Sequence, residues 1–370
     1  MNNPVDSKPI RHEADFPSMH QPYSNHDEID LRELFIALWR GKLIIIATTV
    51  VFAFAAVLYA LNSQEWWSSQ AKVAQAQMQD ISAYQQQVKQ FQPVFDGSEL
   101  NKLIDTNILF QQFIDAFDSN DNKQAFLEVS EDFLAVKNQY NADKPEGGSD
   151  RPLYAEWFKK ITATATLKSA LSPQSLKLQA TNQQNSYAML NDYIDVIKKK
   201  THNDAFNNLE AMIAAKQNEL IQKKRILTSQ AKNRLQVEIE RAQYALKIAE
   251  AAGVTQPIQT YNNQEIFAID FGSKALAAKV IALKSMENFS VIEPGLQQIN
   301  AKLDMLNTLK INRDVQFQTF RFLENVEEPI TRDKPKRALI AVLGTLLGGM
   351  LGVAIVLIRF AFRREDLTAE

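Results

Sequence analysis

Two long apolar runs near the ends of the chain limit what it can fold into more than any other feature. Residues 43–61 read LIIIATTVVFAFAAVLYAL, residues 338–358 read ALIAVLGTLLGGMLGVAIVLI, and neither contains a charged side chain. A helix rises about 1.5 Å per residue and a bilayer core is about 30 Å thick, so each run is long enough to span. A cleavable signal has a shorter apolar region, about 7–15 residues, close to the N-terminus. The first run starts only at Leu43 and reads as an uncleaved anchor. Residues 62–337 are polar, charged and helix-forming. The expected fold class is an α+β membrane protein in which transmembrane helices 43–61 and 338–358 flank one exported domain.

Charge sets the orientation and excludes one class of partner. Arg32, Arg40 and Lys42 precede the first run, and only Lys72 appears in the stretch just after it. Lys and Arg favour the cytoplasmic side, so both termini are expected there. Around the second run the balance is ambiguous, with Arg332, Lys334, Lys336 and Arg337 before it and Arg359, Arg363 and Arg364 after it. Trp39, Arg40, Lys42, Tyr59, Trp66, Trp67 and Arg359 suit anchoring at the membrane interfaces, against lipid headgroups. The net charge of −2 lacks the basic excess of a nucleic-acid binder. Without cysteine there is no disulfide or thiolate metal site. His12, His20, His26 and His202 do not read as a metal site, and no cofactor is expected.

Residues 1–27, with Pro4, Pro9, Pro17 and Pro22, lack an apolar period and read as a disordered cytoplasmic tail. Residues 28–42 predict a short amphipathic juxtamembrane helix: Asp30 with Glu33 resembles a capping box, and Leu31, Leu34, Phe35, Leu38 and Trp39 share a face. The stretch WWSSQAKVAQAQ is a candidate strand, residues 99–140 have a helical pattern, and 141–152 reads as a loop. Alternation at Ile161, Ala163, Ala165 and Leu167, and again at Leu176, Leu178 and Ala180, predicts a β-hairpin. A helix is expected over about 184–200.

Residues 203–252 contain neither proline nor glycine and predict a helix of about 75 Å. Phe206, Ile213, Leu220 and Leu227 repeat at seven and are candidates for arm packing, coiled-coil fashion, on helices of the same chain or of another subunit. Helices over 264–286 and 294–311 are expected to return along it. Val315, Phe317, Phe320, Phe322 and Val326 read as a closing strand, and Pro329 and Pro335 as a hinge at the membrane approach. In the second span Gly344, Gly348 and Gly352 repeat at four with Gly349 beside them, a strip where another helix backbone can approach closely. No catalytic constellation stands out: there is no GxxxxGK[ST] loop, GxSxG elbow or HExxH helix.

The segments EIDLRELFIALWRGKLIII, YALNSQEWWSSQAKV, LFQQFIDAFDS (109–119), SLKLQATNQQNSYAMLNDYI (175–194), FGSKALAAKVIALK (271–284) and Pro335-Lys336-Arg337 with the glycine-rich run after it resemble the Wzz-type chain-length determinants, the class 1 polysaccharide co-polymerases. The resemblance implies a periplasmic α/β base with a long helical arm, and a ring of identical subunits in the Gram-negative inner membrane. It also implies a non-enzymatic job: setting the length of a glycan, lipopolysaccharide O-antigen first, by acting on the O-antigen polymerase and its lipid-linked glycan. A common antigen or capsule is the alternative glycan. The rivals from other classes are an anchored periplasmic sensor or scaffold, which would need an output domain, and a fused tyrosine autokinase, which would need a phosphate-binding loop.

Overall fold

A computed structural model describes residues 31–143, 148–167, 172–258 and 267–368. The tail at 1–27 and the Asp30–Glu33 capping box lie outside the described residues or side chains. The chain divides into two compact units. One contains α1 (Leu31–Arg40), α2 (Lys42–Asn62) and α11 (Arg337–Thr368); the other runs from Gln64 to Lys334.

In the helical unit, α1 and α2 are separated by Gly41 alone, whose N–H still donates to Ala37 O. The stretch Arg337–Phe362 of α11, like Lys42–Asn62, is long and apolar enough to cross a membrane.

The larger unit is built on a four-stranded antiparallel sheet, β1 (Trp67–Gln75), β2 (Ile161–Ala165), β3 (Gln174–Ala180) and β4 (Phe320–Glu327), in the order β2-β3-β1-β4. The hairpin pairs Ile161 with Leu178 and Ala163 with Leu176; Ile161, Leu176, Leu178 and Ala180 point into the core, whereas Ala165 is exposed and Leu167, expected to continue the alternation, lies exposed beyond the end of β2. The closing strand begins later than its alternation suggests. Val315 and Phe317 lie before β4 and pack in a different core, because the chain bends between Phe317 and Phe320. Between the strands lie α3 (Ser82–Lys89), a 3-10 turn Glu99–Ile104, α4 (Thr106–Asp118), α5 (Asn120–Leu127), α6 (Glu131–Asp143) and α7 (Arg151–Phe158). Helix α7 falls partly in the predicted loop: Pro152 stands at the start of a helix, where its missing N–H costs nothing.

The two helices expected over 184–200 and 203–252 are one. Helix α8 runs 69 residues, Gln183–Ala251, about 100 Å. Asn182 Oδ1 caps its start by accepting from Asn185 N at 2.7 Å. Gly253 ends it with φ +70°: its N–H reaches Glu250 O (3.1 Å) and that of Val254 reaches Ala249 O (2.9 Å), the paired bonds of a Schellman stop. Helices α9 (Gly272–Lys284) and α10 (Gly295–Thr308) return against it. The first starts later than expected, and 259–266 lie outside the described residues.

Three apolar clusters line α8 in succession. Its first turns close the sheet core with Phe113, Phe117, Phe126, Trp157 and Phe320, where Tyr193 donates to Phe117 O at 2.7 Å. Its middle packs on Tyr84, Phe91, Ile299 and Phe317. Its far third buries Ala245 and Ala249 against Leu276. Burial pushes the hydroxyls of Tyr84 and Tyr193 well above the ordinary tyrosine range.

Candidate functional site

Two constructions stand out: a seam between the apolar helices and a clasp across the ends of the larger unit. The seam lies where α11 crosses α2. A Cβ at Gly348 would sit 2.7 Å from Phe52 Cβ and 2.9 Å from Thr48 O; one at Gly344 would strike Ala56, and one at Gly352 would strike Thr48 and Ile45. These three positions have no room for a side chain, so the backbones meet directly, which is how small residues join helices in lipid. Gly349 is different: a Cβ there would meet only Thr49 Oγ1, at an ordinary contact distance of 3.6 Å. The hydroxyls of Thr48 and Thr49 are satisfied within α2, donating to Ile45 O at 2.9 and 2.7 Å. Sequence reasoning missed Gly41, where a Cβ would lie 2.5 Å from both methyls of Val356. The signal was there, since Gly41 sits at the joint of two helices.

The clasp joins residues 65–68 to 332–334. Trp66 N donates to Lys334 O (3.1 Å) and Asp333 N to Trp66 O (2.9 Å), while Arg332 Nη1 pairs with Glu65 Oε1 at 2.9 Å. The Asp333 carboxylate accepts from Ser68 Oγ, Gln179 Nε2 (2.7 Å) and Lys177 Nζ (3.1 Å). Partial burial raises its pKa, but these three donors outweigh burial and hold it below the ordinary carboxylate range. Nothing local in the sequence announced Asp333.

The predicted anchors are dispersed. Trp39 is exposed, stacks on Phe35 at 6.4 Å and has Lys42 Nζ 5.1 Å from its ring centre. Arg40 and Arg359 are exposed. Trp66 is half-buried in the larger unit, edge-on to Trp157 at 5.8 Å with Lys160 Nζ 3.6 Å over its ring, so it serves the sheet core. Trp67 is half-buried and pairs with Ala180. Pro329 and Pro335 are half-buried. The stripe Phe206, Ile213, Leu220 and Leu227 packs within the chain: Phe206 and Leu220 are buried, and the half-buried Ile213 and Leu227 pack on the same cluster, to which α3 and α10 contribute. Among the described residues, no group of three or more His, Cys, Asp or Glu is placed to hold a metal.

The two halves of this construction match known proteins. Residues 27–128 fit the family model Wzz, "Chain length determinant protein", and 296–361 fit GNVR, "G-rich domain on putative tyrosine kinase", which covers α10, β4 and most of α11. A solved full-length bacterial polysaccharide co-polymerase superposes with a TM-score of 0.60 at 26% identity, covering 91% of this chain and 99% of that one. The chain is similar to the Wzz chain-length determinants. Its relatives include the chain length determinant protein of Shigella dysenteriae (28% identical; 92% of this chain, 96% of the relative) and the Escherichia coli K12 protein named ferric enterobactin transport protein FepE (26%; 96% and 95%). Another is the ECA polysaccharide chain length modulation protein of the same strain (25%; 90% and 95%). The Wzz likeness thus runs nearly end to end, through both apolar helices, the sheet and α8.

Proposed function

We propose that this chain sets the length of a bacterial surface polysaccharide, lipopolysaccharide O-antigen foremost, without itself catalysing glycosyl transfer. It does so as a ring of identical subunits in the inner membrane, with the α8-bearing unit in the periplasm and both termini in the cytoplasm. Its partners are the O-antigen polymerase and the lipid-linked glycan. The observation that carries this reading is the end-to-end match to chain-length determinants, both apolar helices included. Exposed apolar side chains on the outer part of α8 and on α9, among them Val237, Tyr244, Ile248 and Ile281, support self-association.

The test is the surface-glycan ladder of a strain lacking the gene and of the same strain complemented. Clustered long bands are expected to collapse to a smooth decay and to return on complementation. An unchanged O-antigen ladder with an altered common antigen or capsule would redirect the function to that glycan. If every glycan is unchanged and growth on ferric enterobactin fails instead, the name of the E. coli relative describes the function and length control is wrong. Within the seam, Gly348→Leu is expected to change glycan length and oligomer size, with the Gln64–Lys334 unit still folded by circular dichroism. No change in either would mean that the seam is not needed for assembly.

A further inference from the structure

A basic stretch of α8 is left unused by everything described so far. Residues 220–237 carry Lys223, Lys224, Arg225, Lys232 and Arg234 and no Asp or Glu, in a chain whose net charge is −2. Part of it lines a groove of about 550 Å³ formed with α10: Ile221, Lys224, Arg225, Thr228, Ser229, Lys232 and Leu303. The α8 members follow the spacing i, i+3, i+4, i+7, i+8 and i+11, so they share one face. The groove has a half-buried apolar floor in Ile221 and Leu303, two hydroxyls, and three exposed cations.

Three carboxylates on or beside this stretch are already paired. Glu219 holds Lys216 (2.9 Å), Glu238 holds Arg241 (3.2 Å), and Glu293 holds Arg234 (2.8 Å). Lys232 Nζ has a ring for company, 5.6 Å from the centre of Phe289. Like charges crowded on one helix face repel one another, and an anion seated between them would remove that cost.

We infer that this groove binds an acidic sugar: a carboxylate- or phosphate-bearing, hydroxyl-rich oligosaccharide. Arg225 offers a planar fork to a carboxylate or phosphate, and Lys224 and Lys232 act as point charges. Thr228 and Ser229 can each donate to or accept from a sugar hydroxyl, and Ile221 and Leu303 meet the apolar face of a pyranose ring. The volume falls within the range of small-ligand sites. The inference rests on the glycan-handling reading for its ligand class, but its test does not pass through the ladder.

The purified full-length chain in detergent micelles is titrated calorimetrically with trigalacturonate, with maltotriose as the neutral comparator and inorganic phosphate as the bare anion. Saturable binding of trigalacturonate is expected, weakened in high salt, with none of maltotriose and weaker binding of phosphate. The triple variant K224Q/R225Q/K232Q is expected to bind about tenfold more weakly or worse. K89Q/K159Q/K274Q, which removes three exposed cations elsewhere, is expected to bind as the parent does. Equal binding of maltotriose, phosphate binding as tight as trigalacturonate, or an undiminished triple variant each overturns the inference. So does an absence of binding together with a changed oligomer size in the triple variant, which would make the groove a contact between copies of the chain. A normal ladder defect in the gene deletion with no trigalacturonate binding would sink this site alone and leave the proposed function standing.

Discussion

The middle and the far third of α8 belong to one uninterrupted helix and are held in opposite ways. Around Phe206 the helix meets large rings: Tyr84 at 5.3 Å and Phe317 at 5.9 Å, with the helix's own His202 stacked on Phe317 at 4.9 Å and Tyr84 also donating to Ala205 O at 3.0 Å. Around Ala245 and Ala249 it meets α9 through methyl groups, with Leu276 the one large side chain fully inside. Aromatic burial removes much apolar area per residue and fixes orientation. Alanine contact lets two helices come close but removes little area. A continuous helix can therefore be firmly set at one end and lightly held at the other, and local opening should begin where alanines do the packing.

That contrast can be broken or sharpened by measurement on the full chain in micelles. The largest effect is expected from Phe206→Ala, which empties a fully buried ring site and should cost about 3–5 kcal/mol in urea unfolding. A cost below about 1 kcal/mol would mean that the middle of α8 is no better held than its far end. Ala249→Leu should come next, about 1–3 kcal/mol from overpacking. Its damage should be confined to α9 and the end of α8 in hydrogen exchange, with the sheet unchanged.

Asp333→Asn, which touches neither region of α8, is expected to cost about 1 kcal/mol at neutral pH after allowance for its partial exposure. The Asp333 pKa is depressed in the folded chain, so its contribution is present above the ordinary value of about 4 and is lost as pH falls through the lower folded value. The difference between parent and variant should therefore be constant from neutral pH to about 4 and shrink below it. The smallest effect is expected at Arg234, whose side chain is 61% exposed where it pairs with Glu293: Arg234→Gln should change stability by less than about 1 kcal/mol.

The features legible in the sequence were those with a local period. The two apolar runs, the hairpin at Ile161 to Ala180 and the glycine repeat in α11 each declare themselves within a few residues. The junction of α8 did not. Lys198, Lys199, Lys200, Thr201 and His202 look like a polar break, yet no proline or glycine lies anywhere between Pro173 and Gly253. Tertiary packing carried the helix straight through, with Thr201 buried and His202 Nε2 donating to Val315 O at 2.9 Å. The seven-residue stripe packs on α3 and α10, which are distant in sequence, and periodicity does not reveal which element or chain supplies a partner. The clasp was invisible for the same reason. Helices α3 and α7, eight residues each, are too short for a period to show.

The position of β1 in the sheet bears on how the chain is made. It is the first strand synthesised and sits in the interior, between β3 and β4, and 265 residues separate Ser68 from its partner Asp333. At about 5–20 residues per second, that interval leaves one edge of β1 without its strand for roughly ten to fifty seconds. An unpaired edge invites pairing with another chain, and nascent copies crowded on one messenger would present many such edges together. The Lys72 side chain, which ends up on Glu324 of β4 at 2.6 Å, is a charge carried by that waiting edge, and such charges deter premature pairing.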